Sequence, residues 1–150
     1  MVEVPFKTTD YGIDLCIGLE SMASKDEFNS HEPATRTIAM PGDTNPSGDI
    51  FGGWVLSQMD IAGSIVASKC VKGRTATVGL EKMSFLKPIQ VGDTVSNYVQ
   101  IVRVGRTSVT VKVMTEVERR QSGEMMVVTQ GLFTYVAIDE EGRPRLIKNS

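Results

Sequence analysis

The chain has 150 residues, 41% hydrophobic and 23% charged, and its 16 basic and 18 acidic side chains leave a net charge of −2. That length favours one domain with a core large enough to fold alone, and a near-balanced charge without clustered Lys and Arg gives no support to a nucleic-acid surface. Cys16 and Cys70 have neither C-x-x-C nor metal-ligand spacing, no apolar run could span a bilayer and no secretory pattern opens the chain, so a cytoplasmic protein with free thiols, away from membranes, is expected.

In chain order, Met1–Ala34 mix Thr, Ser, Asp, Glu and Lys without sustained periodicity. They predict a polar, flexible arm with no catalytic role, in which Met22 offers an alternative start. From Thr35 a single domain is expected to run to Ser150. "TRTIAM" reads as a short strand and "PGDTNPSGD" as a turn-rich loop. "FGGWVLSQMDIAGSIVASK" then repeats apolar residues at Val55, Leu56, Met59, Ala62, Ile65 and Val66, the intervals of a helix. Gly63 in its middle weakens that helix but lets another backbone come close.

After Gly73 the period changes to two. "TATVGLEKMSFLKP" puts Val78 and Leu80 on one face and Met83 and Phe85 on the other parity, so a bulge is expected between them. A Gly92-Asp93 turn leads into "DTVSNYVQIVRVG". "RTSVTVKVMTEVER" alternates, with Val109, Val111, Val113 and Val117 facing in and Ser108, Thr110, Lys112, Glu116 and Glu118 facing out. "EMMVVTQGLFTYVAID" is apolar on both faces, as a central or covered strand should be, and the tail "EEGRPRLIKNS" is expected to fray. The order of strand, helix and four strands predicts an α+β fold with one long helix on a largely antiparallel five-stranded sheet. One helix cannot cover such a sheet, and its open edges predict a homo-oligomer built from dimers.

The possible chemistry is bounded by what the sequence lacks. Its single histidine, His31, lies in the polar arm, so a Ser-His-Asp or Cys-His hydrolase has no positioned base and a zinc site no ligands. Neither a phosphate loop nor a dinucleotide fingerprint occurs. Carboxylates and backbone dipoles remain. Asp49 stands just before the predicted helix, whose first amides lack intrahelical partners and carry partial positive charge. Gly52 and Gly53 leave those amides open to a carbonyl, the geometry of an oxyanion hole, and a nearby carboxylate could activate water or attack directly. The competing reading is structural: Asp before a helix is a common N-cap, and spacing alone favours the cap. Asp60 and Glu81 read as solvated or locally paired acids, and the methionines as core filling. Arg119-Arg120, and Arg143 with Arg145, read as a solvated face or tail. "VGRTSV" reads as hairpin chemistry, with Arg106 and two hydroxyls also suited to a phosphate.

Three segments, "PGDTNPSGDIFGGWVLSQMD", "MSFLKPIQVGD" and "VGRTSV", occur in an order that resembles the hotdog-fold acyl-CoA thioesterases of the YciA-like branch. The resemblance spans Thr35 to Arg145 and leaves the arm without a counterpart. It implies a hotdog fold, hydrolysis of acyl-CoA to free CoA and a carboxylic acid, and three dimers assembled as a hexamer with active sites at subunit interfaces. No metal and no cofactor beyond the CoA of the substrate are implied. The family's acid before F-G-G is the catalytic carboxylate; it falls on Asp49 and reverses the N-cap reading. The loop Asn falls on Asn45, which would organise the loop or the substrate water, and the amides of Gly52 and Gly53 would polarise the thioester carbonyl. Arg106, Thr107 and Ser108 match the family's G-x-T-S-V segment and would hold CoA. Pro46-Ser47 departs from the small or polar residues usual there and stiffens the loop. The alternative is a non-catalytic acyl-CoA-binding or sensing module on the same fold, which needs no carboxylate at position 49; a hotdog dehydratase would need a positioned histidine.

Overall fold

The computed structural model describes residues 32–148; Cys16, His31 and the rest of the predicted arm up to residue 31 lie outside the described residues. Strand β1 (Thr35–Ile38) is followed by helix α1 (Gly52–Val71) and strands β2 (Thr75–Phe85), β3 (Thr94–Val104), β4 (Ser108–Glu118) and β5 (Met125–Ala137). The strands form one sheet in the order β1-β3-β4-β5-β2, and every pairing is antiparallel. The expected architecture is therefore present, with β5 internal, as its two apolar faces require.

Helix α1 packs across one face of the sheet. Val55, Met59, Ala62, Gly63, Ala67 and Val71 are buried, while Ile65 and Val66, expected in the same stripe, are only half-buried. The buried stripe turns toward small residues because the helix lies close to β5 there. A Cβ on Gly63 would run into the Tyr135 hydroxyl and lie 3.1 and 3.2 Å from two carbons of its ring. The close neighbour that Gly63 admits is thus a side chain and not the expected backbone. The Tyr135 hydroxyl lies 2.9 Å from both the Oδ1 and the backbone carbonyl oxygen of Asp60, and Thr77 donates to the same Oδ1 at 2.8 Å. Asp60 is a paired acid tying α1 to β5 and β2.

From β4, Val109, Val111, Val113 and Val117 are fully buried against the helix side, as their alternation predicts. Complete burial of each such side chain is worth roughly 1.5–3 kcal/mol. Glu116, expected outside, is only 9% exposed. It pairs with Ser96 and Val127 on the other face, where Tyr98 and Met114 form a small buried cluster of their own. The bulge expected in β2 is found: the register with β5 shifts between Glu81 and Ser84, and Lys82 adopts a left-handed φ of 51°. A further shift between Thr77 and Gly79 had no warning in the alternation.

The tail expected to fray is tied down as far as Ile147. Arg145 N–H donates to Ala137 O at 2.9 Å, the Arg145 guanidinium donates to Val71 O at 2.9 Å, and Ile147 N–H donates to Arg106 O at 2.8 Å. The guanidinium satisfies a carbonyl at the C-terminus of α1, where a helix presents unpaired acceptors and partial negative charge.

Candidate active site at the start of the helix

Asp49 is held on a turn that closes on itself. Thr44 and Ile50 form a β-bridge at its base, and Asn45 N–H donates to Asp49 O at 2.7 Å. Within it, Gly48 N–H donates to Asn45 O at 3.0 Å, and the Asn45 Oδ1 accepts from Ser47 N–H at 2.9 Å and Asp49 N–H at 3.2 Å. The sequence Asn-Pro-Ser-Gly suits this turn at every position. Asn accepts from its own backbone two residues on, Pro presets φ at the second position, and Gly48 supplies the left-handed φ of 87°. Pro46 therefore stiffens a turn that already suits it. Asn45 organises the loop directly.

The helix that follows has no side-chain cap. Its N-cap is Phe51, Asp49 makes no capping hydrogen bond, and the first turn carries no acid. Trp54 and Val55 donate back to Phe51 O at 3.1 and 3.3 Å. The amides of Gly52 and Gly53 donate to no acceptor among the described residues, and no atom lies within 4 Å of where a Gly53 Cβ would be. An exposed aspartate thus stands three positions before the first of a pair of open helix-start donors. The N-cap reading of Asp49 fails on this geometry.

Beside Gly52 an apolar cavity of ≈ 630 Å³ opens between α1 and the sheet, walled by Ile50, Val55, Met83, Phe85, Ile89 and Val128 among others. Phe85 stands at its mouth, 3.6 Å from where a Gly52 Cβ would lie. One wall is the segment after β2. It is fixed by Ile50 N–H donating to Ile89 O at 3.1 Å and by Arg119, whose guanidinium pairs with Asp93 and donates to Pro88 O at 3.0 Å. Arg119, read from sequence as solvated, is a largely covered clamp on this wall.

Asn45 and Asp49 are bonded within one turn that leads directly into Gly52 and Gly53, but Arg106, Thr107 and Ser108 do not join them. They form the β3–β4 turn, closed by Gly105 N–H on Ser108 O at 2.7 Å, and this turn lies by the C-terminal end of α1. A helix of 20 residues separates the two ends by about 30 Å. Sequence reasoning also passed over Lys87 and the Asp93–Arg119 pair, though "SFLKP" and "VGD" held these positions. Among the described residues no group of acids, histidines or cysteines could hold a metal ion, and no helix is long and apolar enough to cross a membrane.

Residues 47–129, more than half of the chain, match the family model of the thioesterase superfamily. The chain belongs to that superfamily. Its start coincides with the Asp49 turn and its end with the strand lining the cavity. Among its members, an uncharacterized acyl-CoA thioester hydrolase of Haemophilus influenzae is 51% identical over 115 residues, 75% of each chain. The acyl-CoA thioester hydrolase YciA of Escherichia coli K12 is 49% identical over 115 residues, 75% of this chain and 87% of that one. A crystal structure described as a hexameric broad-specificity acyl-coenzyme A thioesterase superposes with a TM-score of 0.76 at 48% identity, covering 79% of this chain and 82% of the other. The helix-and-sheet order found here is the hotdog fold of these superfamily structures.

Proposed function

We propose that the protein hydrolyses acyl-CoA thioesters to free CoA and a carboxylic acid. The observation that supports this reading is an exposed Asp49, without a hydrogen bond to its carboxylate, on the turn that leads into two open helix-start amides, the first of which lines an apolar cavity. The amides of Gly52 and Gly53 would receive the thioester oxygen as negative charge develops on it, where fixed donors are worth most. Asp49 would either take a proton from the attacking water or attack the carbonyl carbon itself. In both routes the C–S bond breaks, CoA leaves as thiolate and is protonated, and one water is consumed per turnover. Thiolate is a good leaving group, so a site with no histidine among the described residues suffices, and the reaction as written needs no cofactor. The relatives' printed activity, acyl-CoA thioester hydrolysis, supports the same substrate class.

The working unit in this reading is an oligomer. Strand β2 is an open edge of the sheet, and Val78 and Leu80 on it are 59% and 42% exposed. Such an edge invites pairing with a second copy, and the hexameric relative supports three dimers. Arg106, Thr107 and Ser108, remote from Asp49 in one chain, would then reach CoA from another protomer. Light scattering showing a monomer at micromolar concentration would remove this arrangement.

The activity itself is tested by incubating the purified protein with acetyl- to dodecanoyl-CoA and a thiol reagent. Stoichiometric thiol release is expected for at least part of the series. Acyl-CoA binding without release would instead identify a sensing module.

A further inference from the structure

The cavity beside Gly52 suits an alkyl chain along most of its wall: Ile50, Val55, Met83, Phe85, Ile89 and Val128 present apolar side chains, and Lys87 and the open Gly52 amide are the polar groups that remain. The Thr129 hydroxyl on the same wall is already committed to Ser84 O at 2.6 Å. Resting on the hydrolase reading above, this cavity holds the acyl group, and its depth decides which chains are accepted.

Met83 sets that depth through a residue outside the lining. The bulge at Lys82 turns Met83 onto the helix side of the sheet, where it is buried within the main core cluster. Its thioether lies on the bare backbone of Gly131 in β5: an added Cβ there would clash with the Met83 sulfur and lie 3.2 Å from its Cγ. Two neighbours crowd the same spot: Leu80 Cδ1 is 3.6 Å from it, and the cross-strand partner of Gly131 is the fully buried Val113. Met83 itself lines the cavity, so a displaced Met83 has that space to enter. We infer that Gly131 is a positioning residue for acyl-chain length: by lacking a side chain it lets Met83 lie back, and any larger residue there moves Met83 into the acyl cavity.

The test uses the full-length protein with two ligand series, acyl-CoAs for hydrolysis and non-hydrolysable S-alkyl-CoA thioethers for calorimetric binding, each from two to twelve carbons. Gly131→Ala should shorten the longest chain accepted by one or two carbons in both series. Affinity should fall about fourfold for each methylene excluded, the equivalent of ~0.8 kcal/mol per buried CH₂. Met83→Ala should lengthen the limit. In the Met83→Ala background, Gly131→Ala should change nothing, because the side chain through which it acts is gone. An unchanged limit in Gly131→Ala, or the same shortening with Met83 absent, overturns the inference. If Gly131→Ala does not fold, Met83→Ala with and without Ala at 131 decides, and an unchanged limit there is equally fatal. Thioether binding with no hydrolysis of any acyl-CoA would end the hydrolase reading while leaving the length limits to judge this one. Affinities independent of alkyl length would end the assignment of the cavity.

Discussion

Arg119 and Asp93 form an ion pair almost removed from solvent, the arginine side chain 14% exposed and the aspartate 2%. Asp93 Oδ2 also accepts from Gln90 N–H at 2.8 Å, and the guanidinium also donates to Pro88 O at 3.0 Å. One pair therefore fastens the end of β4 to both ends of the segment that walls the cavity. Arg119→Ala should destabilise the protein by about 3–5 kcal/mol, because it strands a buried carboxylate. Arg119→Lys keeps the charge but not the fork and should recover only part of that loss. Urea unfolding of the three proteins measures both; a change under 1 kcal/mol in the alanine variant would show that the pair adds little.

Asp49→Asn separates chemistry from folding. Asp49 donates its backbone N–H to Asn45, but its carboxylate accepts no hydrogen bond among the described residues, so the thermal midpoint should stay within a degree or two. Turnover should drop by roughly 10²–10⁴-fold, the usual effect of removing a positioned acid–base group, with acyl-CoA binding largely retained. Near-wild-type kcat would end the catalytic assignment.

Gly63→Ala sets two effects against each other. Alanine favours the helix by ~1 kcal/mol, while forcing a methyl into a packed core costs about 1–3 kcal/mol. The new Cβ would meet the Tyr135 hydroxyl and ring, which the Asp60 hydrogen bonds hold in place, so overpacking should win. A net loss of up to about 2 kcal/mol is expected, partly rescued by Tyr135→Phe. A stabilised Gly63→Ala protein would show that Tyr135 yields.

Tyr135 also predicts an alkaline limit. Burial first, then the hydrogen bond and charge of Asp60, hold its phenol pKa far above the ordinary value. A group whose folded pKa is raised contributes stability that is complete below the unfolded pKa of ~10 and is lost as pH rises toward the folded one. Above pH 10 the wild-type midpoint should therefore fall more steeply than that of Tyr135→Phe. Parallel slopes between pH 9 and 11 would contradict this.

Arg106→Ala should raise KM for acyl-CoA far more than for the matching acyl-pantetheine thioester, since a guanidinium at the nucleotide gains charge-assisted contacts with phosphate oxygens. The same variant should leave the sheet intact, because Arg106 contributes only its backbone carbonyl to Ile147. Equal effects on both substrates would remove it from the nucleotide site.

Much of this was legible because the signals are local. The valine alternation of β4, the parity switch between Leu80 and Met83 and the turn chemistry of Asn45–Asp49 each specify structure from neighbouring residues. What was not legible depends on distant partners. Gly63 signalled a close approach but not that Tyr135 would make it, and Arg119 gave no sign that Asp93 would bury it. The alternation of β4 could not show that Glu116 would meet a second buried cluster. Gly131 did carry a warning, since an isolated glycine inside a strand often marks close packing, but only the fold shows Met83 lying on it. The family motifs placed Arg106 with the reaction; one chain alone puts it at the far end of the helix.

The turn that carries Asp49 is closed by seven consecutive residues, Thr44 to Ile50, and is anchored to the rest of the fold chiefly through Ile50, which is buried in the core and bonded to Ile89. The cavity walls, in contrast, are assembled from the helix, two strands and a crossover segment. The Asp49 turn and most of the cavity wall are therefore separate pieces of chain, with Ile50 common to both. Drift in the walls can retune what is admitted while the carboxylate keeps its place, and a graft of the short turn alone would transplant the geometry of the acid without the selectivity that surrounds it.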